Sequence, residues 1–184
     1  MIERKIFTAW FSEDGSIPSH ILKCIESQKI EGYTHTLITL NDVLNNGELM
    51  DRAYVRQCLN STHTKKKWVK LADYIRMWYL YNEGGIFLDA DVQVLNDKNF
   101  DHLLNNQCFI GKEISDPANG LTVLGVAVMG ADKKHPLLRR WIGEVEEHFR
   151  GDTTDCYESS MHILNLIGVE YQDRFTMLEP DYFY

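Results

Sequence analysis

Residues 68–92 read Trp68-Val69-Lys70-Leu71-Ala72-Asp73-Tyr74-Ile75-Arg76-Met77-Trp78-Tyr79-Leu80-Tyr81-Asn82-Glu83-Gly84-Gly85-Ile86-Phe87-Leu88-Asp89-Ala90-Asp91-Val92. Trp68, Leu71, Ile75, Trp78 and Tyr79 recur at helical spacing, which predicts a helix over 67–82. Val69, Met77 and Leu80 make the opposite face apolar too, so this helix belongs in the interior. Asp73 and Arg76 interrupt that second face, one turn apart. Gly84-Gly85 ends the helix and Ile86-Phe87-Leu88 forms a short buried strand, with Asp89-Ala90-Asp91 directly after it. In an extended segment Asp89 and Asp91 project to one side and Ala90 to the other. Two carboxylates at a strand end suit a hard divalent cation, which takes oxygen ligands. Aspartates are also common in solvated turns, and a D-x-D alone is weak. Its place after a Gly-Gly turn and a buried strand strengthens it, because open α/β sheets bind ligands beyond the carboxyl ends of their strands.

Asp73 and Arg76 have two explanations that periodicity leaves open. They can form an intrahelical ion pair on a partly exposed face. Their neighbours on that face are apolar, however, and charges kept in such a place often meet a polar ligand.

Upstream, Lys5 to Phe11 is an apolar strand ending in Trp10-Phe11, and Ser16-Ile17-Pro18 opens a helix. Gly32 stops that helix, and Tyr33 to Leu40 reads as a second strand. This β-α-β opening favours an α/β fold with parallel strands. Asn45-Asn46-Gly47 is a turn and Leu49 to Leu59 a helix. Downstream the pattern predicts a short helix near Phe100 to Leu104, a strand at Cys108 to Gly111 and a loop over 116–120. A buried strand over Leu121 to Met129 follows, then helices over Pro136 to Phe149 and Tyr157 to Ile167, with a turn at Gly151 to Asp155 between them. The chain ends on Tyr182-Phe183-Tyr184. No repeat or linker interrupts it, so 1–184 reads as a single domain, long enough to bury a core without disulfides.

Cys24, Cys58, Cys108 and Cys156 are widely spaced with no CxxC pair, which excludes a zinc ribbon and leaves packing thiols. No apolar run reaches the roughly 18 to 20 residues of a membrane span, and no signal-peptide pattern opens the chain. The expectation is a cytoplasmic protein, with a peripheral contact at the inner face of the membrane left open. Lys65-Lys66-Lys67 can touch phosphate or an anionic surface, or simply solvate a helix end. His135 and His162 lack ligand spacing, and GxSxG, HExxH, Walker A and GxGxxG are all absent. A net charge of −8 argues against a nucleic-acid partner.

Taken together, Ala72-Asp73-Tyr74-Ile75-Arg76, Leu80-Tyr81 and Gly84-Gly85-Ile86-Phe87-Leu88-Asp89-Ala90-Asp91-Val92 resemble the D-x-D sugar transferases of glycosyltransferase family 32. These are capsular-polysaccharide and mannosyltransferase-type enzymes, with the glucosylating clostridial toxins as distant relatives. The block A-S-D-x-x-R, L-Y, G-G-x-Y-x-D-x-D is matched here with Leu71-Ala72 at the small-residue pair. Lys5 to Phe11 is similar to the family's opening strand, and Gly130-Ala131 with His135-Pro136 to a later signature.

The resemblance implies a GT-A fold, a Rossmann-like sandwich with its donor site at the strand ends. It implies a retaining transferase that uses Mn²⁺ or Mg²⁺ and a nucleotide-diphosphate sugar, UDP by family habit. The acceptor would be a glycan, a lipid-linked sugar or another hydroxyl, as in surface-polysaccharide synthesis. Trp10 would stack on the base, though tryptophans more often fill cores. Asp73 and Arg76 would hold sugar or ribose hydroxyls. Asp89 would bind hydroxyls and reach the metal through water, and Asp91 would ligate the metal. An acidic chain needs such a cation to receive a diphosphate. Family members continue past the final aromatic run into a closing tail, so the chain reads as a catalytic domain without it. Two rivals remain. A degenerate, non-catalytic sugar-binding module would bind without turnover. A haloacid-dehalogenase-type phosphatase also opens on a hydrophobic D-x-D, but near its chain start.

Overall fold

The computed structural model describes residues 1–62, 64–95, 100–116, 121–148 and 156–179. The expected loop beyond Asp116, the turn at 151–155 and the terminal aromatic run lie outside the described residues, as does the side chain of His162.

The elements in chain order are β1 (Lys5–Ala9), α1 (Ser19–Ser27), β2 (Thr34–Ile38), α2 (Leu40–Leu44), α3 (Gly47–Met50), α4 (Ala53–Asn60) and α5 (Thr64–Glu83). There follow β3 (Gly85–Leu88), α6 (Phe100–Leu103), β4 (Cys108–Asp116), β5 (Leu121–Ala131), α7 (Pro136–His148), α8 (Cys156–Glu170) and β6 (Thr176–Leu178). One six-stranded sheet has the order β2-β1-β3-β5-β4-β6. The β-α-β opening is parallel as expected, with Lys5 opposite Thr34 and Phe7 opposite both Thr36 and Phe87. The sheet is mixed beyond that opening: β5 runs antiparallel to β3 and β4.

The central helix is as buried as its two apolar faces require. Leu71, Tyr74, Ile75, Met77 and Leu80 are fully enclosed, packed with Phe7, Phe87 and Met129 of the sheet and Leu137, Leu138 and Trp141 of α7. A second core beneath the other sheet face joins Ile6, Ile86, Leu88, Phe109 and Val128 to Phe100 and Leu103 of α6. The sheet therefore lies between helical layers.

Gly84 and Gly85 adopt φ of +66° and +123°. A Cβ at Gly84 would stand 2.8 Å from the Lys133 nitrogen, and one at Gly85 2.8 Å from the Lys5 carbonyl oxygen. Both backbone sign and space demand glycine here. The pair lets α5 turn straight into β3, so the longest helix and the central strand emerge with fixed relative positions.

The helix expected over Leu49 to Leu59 is two helices, α3 and α4, because Asp51 and Arg52 break the run. Asn46 caps α3, its side chain accepting from the Leu49 amide at 3.1 Å. Helix α2 and strand β6 were not foreseen; α2 starts on a Thr39–Asp42 capping box. Cys24, Cys58 and Cys108 form no disulfide among the described residues. No helix among the described residues is long and apolar enough to cross a membrane.

Two histidines are expected to make the fold acid-sensitive. Burial holds both His35 and His135 below the ordinary imidazole range. Below pH about 6.5 the unfolded chain takes protons that the folded chain resists. Their contribution is thus present above the unfolded pKa and lost as pH falls through the folded values. The thermal midpoint should fall between pH 7.5 and 5, and His135→Gln should flatten that slope. An unchanged slope in the variant would remove His135 from the account.

Candidate functional site

Strand β3 delivers the D-x-D segment, and a turn receives it. The Val92 amide donates to the Asp89 carbonyl at 3.0 Å, closing a turn over Asp89–Val92. The extended geometry expected for Asp89-Ala90-Asp91 is therefore corrected. The carboxylates share a cleft because a turn folds them there, and strand alternation has no part in it. The Asp89 amide donates to the Ala127 carbonyl at 2.9 Å. Ala127 is the next partner in the antiparallel register of β3 and β5, which pairs Phe87 with Met129 and Leu88 with Val128. Ala90 is 8% exposed and packs on Ile21 and Ile25 of α1, while Asp91 is exposed.

Arg76 ties the helix to this turn. Its Nη1 donates to Asp73 Oδ1 at 2.7 Å, and its Nη2 donates to Asp89 Oδ1 in a short hydrogen bond. The intrahelical ion pair thus exists, and it extends into the D-x-D turn as well. Arg76 is 2% exposed and Asp73 6%. The guanidinium also lies over the Phe87 ring, 5.1 Å from its centroid. Burial, and then the charge of Asp89, push the Asp73 carboxyl up, with Arg76 acting the other way. Burial works against the Arg76 charge as well, but Asp89 and Asp73 outweigh it and hold the guanidinium above its usual range. One cation between two anions leaves the group net negative. Arg76 Nε is buried with no partner among the described residues, so the group is also one hydrogen bond short.

These side chains line a cleft of about 530 Å³, with Trp10, Phe11 and Trp68 as aromatic walls and Asp91 among its lining. That volume suits a small organic ligand. Trp10 lies just past β1, its indole nitrogen donating to the Ser16 carbonyl at 2.8 Å, so the ring's edge is pinned while the residue lines the cleft. Lys67 pairs with Glu13 at 2.9 Å and sits over Trp68. His135 is elsewhere, its Nε2 at 3.1 Å from the Arg174 carbonyl oxygen.

Glu113 is a further carboxylate of this cleft, and inspection of the sequence missed it. The expected strand stopped at Gly111, whereas β4 continues to Asp116. No alternation of apolar and polar residues marks the continuation, because Gly111, Lys112 and Glu113 follow one another. A Cβ on Gly125 would lie 2.4 Å from Glu113 Cγ, so glycine on β5 makes room for the carboxylate side chain.

No cluster of three or more potential metal ligands occurs among the described residues. Asp91 has no hydrogen bond or ion pair among them, while one oxygen of Asp89 is committed to Arg76. This donor set fits a cation that takes one or two carboxylates and completes its shell with phosphate oxygens and water. It does not fit an all-protein cage.

A family described as the glycosyltransferase sugar-binding region containing a DXD motif matches residues 18–110, about half of the chain. Among solved structures, the chain is similar to the PaToxG glycosyltransferase, with TM-score 0.61 and 15% identity over 94% of this chain and 70% of that one. It is also similar to the apo form of the glycosyltransferase GlyE of Streptococcus pneumoniae TIGR4, with TM-score 0.51 and 14% identity over 99% of this chain and 46% of that one. No curated protein matches. At these identities the likeness speaks to the fold, which is GT-A-like.

Proposed function

Because the chain belongs to the glycosyltransferase family whose sugar-binding region contains a DXD motif, we propose that it transfers a sugar from a nucleotide diphosphate, UDP by preference, to a hydroxyl acceptor. The observation that carries the finer reading is the uncommitted Asp91 carboxylate, in one cleft with the Asp73–Arg76–Asp89 group and Trp10. Asp91, with Asp89 behind it, would hold Mn²⁺ or Mg²⁺ together with the diphosphate. Bound there, the cation supplies the positive charge that lets the nucleoside diphosphate leave. Asp73 and Arg76 would hold sugar or ribose hydroxyls, and the orphan Nε gives Arg76 a reason to seek a ligand oxygen.

The bond from the anomeric carbon to the phosphate oxygen breaks as the acceptor oxygen bonds to that carbon. The acceptor's proton passes to the departing phosphate oxygen. Retention of configuration follows when both events share one face. Glu113, across the cleft, would oppose the positive charge that develops on the anomeric carbon. The acceptor we favour is a glycan or lipid-linked sugar, as in surface-polysaccharide synthesis, on the resemblance of the 72–92 block; a cytoplasmic setting accords with it.

Release of nucleoside diphosphate from a panel of UDP- and GDP-sugars, with Mn²⁺ and with chelator, tests this proposal. Release in Mn²⁺ alone is expected. Tight binding with no release under any condition would make the domain a sugar-nucleotide binding module instead. Glu113→Gln should lower turnover by about a hundredfold while leaving nucleotide affinity in place. Unchanged turnover would remove Glu113 from the chemistry. Trp10→Ala should weaken UDP and UDP-sugar alike in calorimetry; unchanged binding of both would refute stacking.

A further inference from the structure

Gln28 sits at the carboxyl end of α1 and is 0% exposed. Its amide is spent on bonds across the fold. Nε2 donates to the Asp89 carbonyl at 2.9 Å and to the Val92 carbonyl at 2.8 Å. Oε1 accepts from the hydroxyl of Thr8 in β1 through a short hydrogen bond. Thr8 is itself 0% exposed, with His35 Nε2 3.1 Å from its oxygen. The neighbouring Ser27 hydroxyl accepts from the Val94 amide at 2.9 Å and donates to the Cys24 carbonyl at 2.6 Å. The last turn of α1 therefore grips the backbone on both sides of Asp91, while Ala90 rests on Ile21 and Ile25 of the same helix.

This arrangement admits one amide orientation. A flipped amide would set its oxygen against two carbonyl oxygens, so the network fixes the amide as it stands. Within the turn the Asp89 carbonyl accepts only the Val92 amide, and the turn projects Asp91 into solvent. Gln28 adds two bonds to that same backbone from a fully buried anchor. Most buried amides of this kind stitch core elements together, whereas these two bonds both end on the segment carrying the cleft carboxylates.

We infer that Gln28 is a positioning residue for the D-x-D turn: it sets where Asp89 and Asp91 stand, and through them the affinity for a divalent cation shared with a nucleoside diphosphate. The inference rests on the metal-dependent function proposed above. Partners that orient metal ligands typically account for about tenfold to a hundredfold in metal affinity.

Gln28→Met keeps an unbranched side chain and removes every hydrogen bond; Thr8→Val keeps the amide but loosens its anchor. Mn²⁺ affinity is read by electron paramagnetic resonance at saturating UDP, and amide hydrogen exchange at Val92 and Val94 is read in metal-free protein. Gln28→Met is expected to weaken Mn²⁺ by about tenfold or more. UDP affinity in chelator should stay unchanged, and exchange at Val92 should quicken. Thr8→Val should show smaller changes of the same kind. A cooperatively folded Gln28→Met whose Mn²⁺ affinity equals that of the unsubstituted protein overturns the inference. If Gln28→Met does not fold, Thr8→Val decides, and unchanged Mn²⁺ affinity there overturns it equally. If the unsubstituted protein takes up no Mn²⁺ with UDP, the metal-dependent function is what fails. Val92 exchange then still reports on Gln28, and unaltered exchange in the variants would refute its hold on the turn.

Discussion

Arg76→Ala is expected to lose about 3 to 5 kcal/mol of stability, enough to leave a marginal domain largely unfolded. Arg76 is 2% exposed and is the counter-charge of both Asp73 and Asp89. Without it, a buried carboxylate on α5 faces a second one at the end of β3, and each loses its donor. The helix–strand junction that carries the site would then repel itself. Chemical denaturation measures the loss, and a midpoint close to that of the unsubstituted protein would show that Arg76 is dispensable to the fold. The double variant Arg76→Met/Asp73→Asn separates folding from binding. It removes the buried charges together, and Asp89, with 31% of its side chain exposed, retains access to water. This variant should regain most of the stability. It should still bind UDP with Mn²⁺ but lose the preference for UDP-sugar over UDP, because the guanidinium and the carboxylate that would hold the hydroxyls are gone. Retained preference would mean that sugar recognition lies elsewhere in the cleft.

Asp91→Asn is expected to leave the fold within about 0.5 kcal/mol and to weaken Mn²⁺-dependent UDP binding on the order of a hundredfold. Asp91 is exposed and makes no ion pair among the described residues, so little of the structure depends on its charge. Replacing a carboxylate with an amide preserves shape while removing the anionic oxygen that a hard cation prefers. The variant in Mn²⁺ should therefore behave as the unsubstituted protein does in chelator. Calorimetry under both conditions makes the comparison. Equal UDP affinity for the two proteins in Mn²⁺ would dismiss Asp91 as a ligand, and equal affinity of the unsubstituted protein with and without chelator would dismiss the metal. Both residues line one cleft, but Arg76 is tied to Asp73 and Asp89, whereas Asp91 makes no ion pair among the described residues.

What the sequence by itself determined was local. The helix read over 67–82, the Gly84-Gly85 break and the buried strand before Asp89 were legible because side-chain periodicity and glycine chemistry act over a few residues. Asp73, Arg76, Asp89 and Asp91 were singled out on that basis, and Trp10 as the end of the first strand. The resemblance of the 72–92 block and of the opening strand then joined them into one site. Tertiary structure alone decided how they meet. Arg76 bonds to Asp89 across 13 positions and Gln28 reaches Asp89 across 61, separations at which no periodic signal survives. The same holds for the antiparallel centre of the sheet, where the register of β3 with β5 brings Ala127 to the Asp89 amide. Glu113 escaped notice because a strand with a glycine inside it resembles a strand that has ended. Asp89-Ala90-Asp91 looked extended because alternation is all that a short segment displays. Its turn comes from Gln28, Ala127 and the α1 surface under Ala90, none of which is adjacent in the chain. Local pattern selects which residues carry charge at a strand end, but the direction those charges take depends on hydrogen bonds and packing supplied by distant segments.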